Sequence, residues 1–496
     1  MTKIEHRPGV GFREPLDMNS LQPVPNTFVG RTESTLLLPQ SPEVERYASV
    51  IERGIPLMDR LIVKEGIFAS LDPLFKHFFS RDQVFEIDAI RRTNELLNLT
   101  KSLPGLRNVF EPLYEKSKAS FFSFVMRTVI DYGDFVHEED PFTDSPNIDK
   151  TSDFFARVNG RYINRDSVDA APLILGQVPR LFHRDSPEFQ EFLPHADKAL
   201  KRMIAKMDSN NGWLSFNYGK LTIQGWMDSW DSTLHGDRNL DTHPVYDKNN
   251  NLIGHVPPDP IALVEVQAEA WQTLREWAEI HPDSQFRREL RMHADRLKRA
   301  FNSAFLTRDE KGFFFAQGID GKGRQIKNQT INVGLCLWAD FNEESIIDDK
   351  FIPDVISRLL DPAFFDEHAG IRTFERGQFE GYTGAYHREN DDQWPYATSA
   401  TGVGIATFGQ VEGANNVRKG NVLLLEYLKN FSETGVHDTE EHKRYNGGNG
   451  GAKHNGCYRP YSEDGKVRAC QWQGWNIAWG VHDAVVLADE SLKQAA

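Results

Sequence analysis

The stretch Gln224-Gly225-Trp226-Met227-Asp228-Ser229-Trp230-Asp231-Ser232 places two tryptophans and two aspartates within six positions. A flat indole face beside a carboxyl suits a site that stacks a sugar ring and hands a proton to a glycosidic oxygen. A carboxyl group next to indoles loses hydration, which raises its pKa and lets it hold a proton near neutral pH. A buried aromatic turn with solvated aspartates has the same sequence. Only the company the stretch keeps separates the two.

Five other segments mix carboxylates, aromatics and planar hydrogen-bonding groups. Phe79-Ser80-Arg81-Asp82-Gln83 stands just before a helix carrying Ile87, Ile90 and Leu97. Adjacent Arg and Asp side chains can hold two neighbouring sugar hydroxyls, one donating and the other accepting. Val136-His137-Glu138-Glu139-Asp140 reads by composition as an acidic loop. Arg165 to Pro172 contains Asp169, with Asp166 or Ser167 as a helix cap. In Val264-Glu265-Val266-Gln267-Ala268, Glu265 and Gln267 flank the apolar stripe of a helix. Gly384-Ala385-Tyr386-His387-Arg388, followed by Gln393-Trp394-Pro395-Tyr396, reads as an aromatic loop around His387.

Helices must position these segments. Leu200, Met203, Ile204 and Met207 fall at i, i+3, i+4, i+7. Leu290, Ala294, Leu297, Phe301, Ala304 and Phe305 make a longer stripe, and Leu263, Val266, Ala270, Leu274 and Trp277 a third. For the third, Asp259 is the expected N-cap and Pro260 the first helical residue. Turns are expected at Asp208 to Gly212 and Asp309 to Gly312, and a small hairpin around Asp247 to Gly254. Convincing alternating strands are few. Many helices joined by long polar, aromatic-bearing loops suggest a helical toroid whose loops at one end make the pocket.

In sequence order these segments resemble the amylo-α-1,6-glucosidase domain at the C-terminus of glycogen debranching enzymes, one of the six-hairpin glycosidases. The matching pieces are Arg81-Asp82, His137 to Asp140, Ser167 to Pro172, Trp226 to Asp228, Val264 to Val266, Tyr386-His387 with Trp394-Pro395, and Gln473-Gly474-Trp475. The resemblance implies an all-α (α/α)6 barrel of six inner and six outer helices. It also implies inversion at the anomeric carbon, with two carboxyl groups about 6.5–9.5 Å apart. By resemblance Asp228 is the general acid, kept in apolar surroundings by Trp226 and Trp230, with Asp231 the lesser candidate. Arg81, Asp82 and Asp169 would grip hydroxyls of the terminal glucose, and Glu265, His387 and Trp394 would complete the pocket. Glu138, Gln267 and Trp475 are counted with them. The family places its general base in a Ser-Glu segment before the Gln-x-Trp helix. Here Ser432-Glu433 and Ser462-Glu463 both qualify, and the spacing to Trp475 matches the family for neither. Glu433 is preferred, because the glycine-rich 446–451 stretch reads as an insertion.

The remaining bounds are compositional. The chain has 496 residues, 39% hydrophobic and 26% charged, which is globular. Net charge is 57 − 72 = −15, which disfavours nucleic acid and anionic membrane as partners. Three cysteines, Cys336, Cys457 and Cys470, fit no zinc pattern and suggest a reducing compartment. With no apolar leader visible, a cytoplasmic protein is expected. Residues 1–40 are expected to be an extension and 41–496 a single barrel domain. No metal or cofactor is expected, since carboxyl groups alone can move both protons. No transferase domain is visible, and extra loops such as 237–254 and 438–454 could close the pocket around a small leaving group. Stand-alone barrels similar to this one include glucosylglycerol hydrolase. A small-molecule glucoside, glucosylglycerol first, is therefore the expected substrate. An exo-acting α-1,6-glucosidase and a non-catalytic carbohydrate-binding protein stay open beside it.

Overall fold

The computed structural model describes residues 42–71, 76–100, 102–129, 133–141, 155–158, 161–219, 223–227, 243–246, 252–376, 393–427 and 472–495. The 1–40 extension and Asp228, Trp230, Asp231, His387, Glu433, Glu463, Cys457 and Cys470 lie outside them.

Twelve α-helices are found among the described residues: α1 (Pro42–Leu61), α2 (Ser80–Leu99), α3 (Pro104–Thr128), α4 (Ala170–Leu181), α5 (Pro187–Ser209) and α6 (Val264–Ile280), then α7 (Ser284–Ala304), α8 (Asn332–Trp338), α9 (Ile352–Leu359), α10 (Pro395–Thr407), α11 (Val411–Tyr427) and α12 (Gly474–Ala495). Their packing order closes on itself. α2 packs on α4, α4 on α6, α6 on α8, α8 on α10, α10 on α12 and α12 on α2. Each odd-numbered helix backs an even-numbered one: α3 on α2, α5 on α4, α7 on α6, α9 on α8, α11 on α10 and α1 on α12.

Sequence explains the two layers. α7 buries 7 of its 21 residues on one stripe, including Leu290, Leu297 and Phe301, and shows charge elsewhere. α6 buries 13 of 17 and α10 buries 11 of 13, on every side. A one-sided helix belongs outside and an all-round buried one inside. The outer helices α5 and α7 have side-chain caps. Ser186 accepts from Phe189 N at 3.2 Å, and Asp283 accepts from Gln285 N and Phe286 N.

The inner helices α2, α6, α8 and α10 have no side-chain cap. Short β-pairings aim them instead. Phe78–Phe79 pairs with Glu138–Asp140 before α2, and Ala262–Leu263 pairs with Gly318–Ile319 before α6. Single bridges, Thr330 to Phe374, Arg372 to Gln393 and Ser70 to Gln473, precede α8, α10 and α12. Arg161–Asn164, paired with Glu138–Asp140, leads into α4.

The turn expected at Asp208 to Gly212 is shorter, Asn210 to Gly212, because Asp208 and Ser209 still belong to α5, and Asn211 and Gly212 take φ of 57° and 91°; the Asp309 to Gly312 turn forms as expected. The hairpin His243–Tyr246 with Leu252–Val256 also forms. Two further expectations are corrected. α6 starts at Val264, not at Pro260, because strand pairing takes Ala262–Leu263 and the Asp259 carboxylate accepts from Tyr218 N. Arg81 and Asp82 lie in the first turn of α2 rather than ahead of it. No described helix is long and apolar enough to cross a membrane.

Candidate active site

The first turns of neighbouring inner helices meet at one end of the ring. Arg81 of α2 donates through Nε to Asp169 Oδ2, the residue before α4, at 2.5 Å. Ser167 Oγ holds the other Asp169 oxygen at 2.5 Å. Arg81, Asp82 and Asp169 are all buried. One turn along α6, Glu265 and Glu269 follow each other at i, i+4, both buried. Burial pushes the Glu265 carboxyl up to about 7; the Asn332 amide on α8 pulls it down, and Asp169 pushes it up again. Glu269 is pushed well above the carboxylate range by burial first, then by Asp169 and Glu265, with Arg81 opposing. Glu86, one turn beyond Asp82, is raised by burial and by Asp82.

The other half is aromatic. Trp226 meets Trp394 and Tyr396 edge-on, each at 5.7 Å between centroids. Tyr396 stacks on Trp475 at 4.1 Å and 10°, and Trp394 meets Trp475 at 6.0 Å. Asn476 of α12 accepts from Tyr396 N at 3.1 Å. Gly225 lets Trp226 into this wall: a Cβ there would stand 2.5 Å from Leu263 Cδ1 and 3.0 Å from Glu265 Oε1. The two halves join at Tyr396. Burial raises its phenol, and the charges of Arg81, Asp82, Glu265 and Asp169 all act on it.

Several of these buried groups have no hydrogen-bond partner among the described residues: Glu265 Oε2, both Gln393 amide atoms, Tyr396 Oη and Trp475 Nε1. Each such group costs about 1–3 kcal/mol unless a ligand or water completes it. A rim of unsatisfied donors and acceptors beside flat rings is what a polyhydroxylated ring would complete.

Seven expected residues thus converge: Arg81, Asp82, Asp169, Trp226, Glu265, Trp394 and Trp475. Two sit differently. The Gln267 amide is taken up by backbone, accepting from Leu214 N and donating to Leu214 O and Leu263 O. Glu138 lies 2.6 Å from His77 Nδ1 in the sheet before α2, so the stretch that composition reads as an acidic loop is instead a buried strand, Glu138–Asp140. Neither Glu265 nor Gln267 merely flanks its helix's stripe, since α6 is buried all round. Sequence reading gave no role to Tyr396, Gln393, Glu86 or Glu269. The i+4 spacing of Glu86 from Asp82 and of Glu269 from Glu265 was the available signal.

Two pH effects follow. Burial alone would lower the His77 pKa, but the Asp140 carboxylate, 3.4 Å from Nε2, and the hydrogen-bonded Glu138 carboxylate raise it to about 9. A pKa above the unfolded 6.5 means stability fully present below pH 6.5 and lost as pH rises through 9, at most about 3 kcal/mol. Urea midpoints from pH 6 to 10 should fall for the wild type and stay flatter for His77→Gln. Glu265 has the same sign: its protonated form is favoured by folding, so that contribution is present below pH 4.5 and lost as pH rises through 7. Glu265→Gln should therefore be more stable than wild type at pH 8, by up to about 3 kcal/mol, and about equal at pH 4.5. Urea unfolding of the two proteins at both pH values checks it.

No known family profile matches the chain, and no curated protein matches it. Solved structures do. The GH63 mannosylglycerate hydrolase from Thermus thermophilus, in complex with Tris, superposes with a TM-score of 0.55 at 12% identity, over 87% of this chain and 99% of that one. The same hydrolase in complex with glucose gives 0.52 at 13%, over 89% and 99%. An uncharacterized conserved protein from Thermus thermophilus gives 0.56 at 10%, over 87% and 99%. At such identities the likeness is one of fold, and the chain shares the mostly helical fold of these proteins.

Proposed function

We propose that this protein is a glycoside hydrolase built on an (α/α)6 barrel, and that it cleaves a small α-glucoside, glucosylglycerol first, with inversion. The observation that carries the proposal is the rim itself. Carboxyls, one guanidinium, an aromatic wall and unsatisfied buried polar atoms gather at the first turns of the inner helices. Uncapped N–H groups at those turns add a positive potential that suits hydroxyl oxygens and developing negative charge. A similar fold in Thermus thermophilus carries a mannosylglycerate hydrolase, found with D-glycerate or with glucose. That precedent, a sugar joined to a three-carbon group, supports a small leaving group here.

In the proposed reaction, Arg81, Asp82 and Asp169 hold the hydroxyls of the terminal glucose, and Glu265 donates while protonated. Trp226, Trp394, Tyr396 and Trp475 pack against the ring and exclude water. Asp228, two residues after Trp226, protonates the leaving oxygen. A carboxylate on the far side, Glu433 ahead of Glu463, takes a proton from the attacking water. The product sugar leaves as the β-anomer, and the proton balance is restored through solvent. Residues 41–496 act as one domain in this reading, in the cytoplasm.

The test is glucose release by purified protein from glucosylglycerol, glucosylglycerate, isomaltose and limit dextrin, with the product anomer read by proton NMR. Fastest release from glucosylglycerol as β-glucose is expected. Faster release from isomaltose or limit dextrin would move the assignment to an exo-acting α-1,6-glucosidase. Release from none would leave a carbohydrate-binding protein.

A further inference from the structure

Trp472 is the only aromatic among the exposed large apolar side chains of the described residues, at 36% exposure. Its backbone is left-handed, φ 53°, a conformation that a bulky residue rarely adopts and that glycine takes freely. Glycine stands only two positions on, at Gly474, so the chain keeps an indole where a glycine would be more comfortable. The strained residue is held by backbone pairing with the 69–71 segment. Leu71 N donates to Trp472 O at 3.4 Å, Ser70 bridges Gln473, and Gly474 N donates to Ala69 O at 2.7 Å. This clip joins the lead-ins of α12 and α2, which are neighbours in the ring. Trp472 is exposed two residues before α12, at the end of the ring where the first turns of the inner helices meet, and Trp475, three positions on, is buried in the aromatic wall. Strained backbone that neighbouring structure over-determines concentrates at ligand clamps.

We infer that Trp472 is a specificity-determining residue whose indole face packs against the leaving group of the substrate. The inference rests on the hydrolase reading and extends it. In a pocket that takes a terminal sugar at its floor, the group joined to that sugar points outward to the lip. The C–H face of a glycerol or of a second sugar ring is apolar enough to lie on an indole.

The test compares wild type, Trp472→Ala and Trp472→Phe with glucosylglycerol and isomaltose as substrates and free glucose as inhibitor. Loss of a contact made equally in ground and transition states raises KM and leaves kcat alone. Trp472→Ala should raise KM about tenfold for the better substrate, with the inhibition constant of glucose unchanged, because glucose lacks a leaving group. Trp472→Phe should recover most of the loss. An unchanged KM in Trp472→Ala overturns the inference. So does a parallel rise in KM and in the glucose inhibition constant, which would mean a disturbed pocket. If the wild type cleaves no glucoside, the hydrolase reading fails first and this inference falls with it. If the wild type is active and only the variant pattern is wrong, the hydrolase reading stands without it.

Discussion

Asp228→Asn is expected to lower kcat for glucosylglycerol by about 10²–10⁴-fold, with KM changed little. An amide fills the same space and cannot give up a proton. In the proposed reaction the contacts that hold the ground-state sugar belong to other residues: Arg81 (which pairs with Asp169), Glu265, and the packed wall of Trp226, Trp394, Tyr396 and Trp475. Leaving-group chemistry sharpens the test. A nitrophenyl or fluoride leaving group needs no protonation, so the variant should lose far less activity on an α-glucosyl fluoride than on glucosylglycerol. Equal loss on both would remove Asp228 from the role of acid. Glu433→Gln and Glu463→Gln extend the same logic to the other proton. Whichever residue activates water should be needed for activated and natural substrates alike, since water must be deprotonated in both cases. A carbohydrate-binding protein would have no activity to lose in any of the three variants.

Side-chain type and order made the aromatic and charged parts of the rim legible, while local structure stayed partly hidden. The stripes of α5 and α7 are readable because burial on one face imposes a 3.6-residue period. α10 runs Pro395–Thr407 with eleven of thirteen residues buried, so no stripe marks it. The strands that aim the inner helices are two to four residues long, or single bridges, too short to show alternation. That brevity explains the misplaced start of α6: Asp259-Pro260 has the right residue types for a helix entry, but pairing of Ala262–Leu263 with Gly318–Ile319 delays the helix to Val264. Gln267 shows the opposite limit. Its amide suits a sugar hydroxyl by type, yet three backbone groups occupy it, and spacing alone does not reveal that competition. Tyr396 lies two residues after Trp394 in the same segment; only the closed ring shows it between the charged and aromatic halves.

Arg81→Met should be the most destabilising single change at the rim. The substitution keeps an unbranched apolar stem of similar length and deletes the guanidinium. Asp169 is 1% exposed, and both its oxygens are engaged, one by Arg81 Nε and one by Ser167 Oγ. Without Arg81 its charge stays buried beside Glu269, whose carboxyl is already pushed up by burial and by the neighbouring Asp169 and Glu265, with Arg81 opposing. Breaking a buried pair by removing one partner costs about 3–5 kcal/mol, more than removing both. The double variant Arg81→Met with Asp169→Asn should therefore be more stable than Arg81→Met alone, a non-additivity that urea midpoints at constant m would register. Neither protein should bind glucose measurably, because the hydroxyl-gripping pair is gone in both. The recovery of stability without recovery of binding separates the two contributions of Arg81. Its charge balances the buried Asp169 carboxylate, and in the proposed reaction its guanidinium also holds sugar hydroxyls. If the double variant is no more stable than the single, the cost lies in lost packing of the arginine stem rather than in a stranded carboxylate.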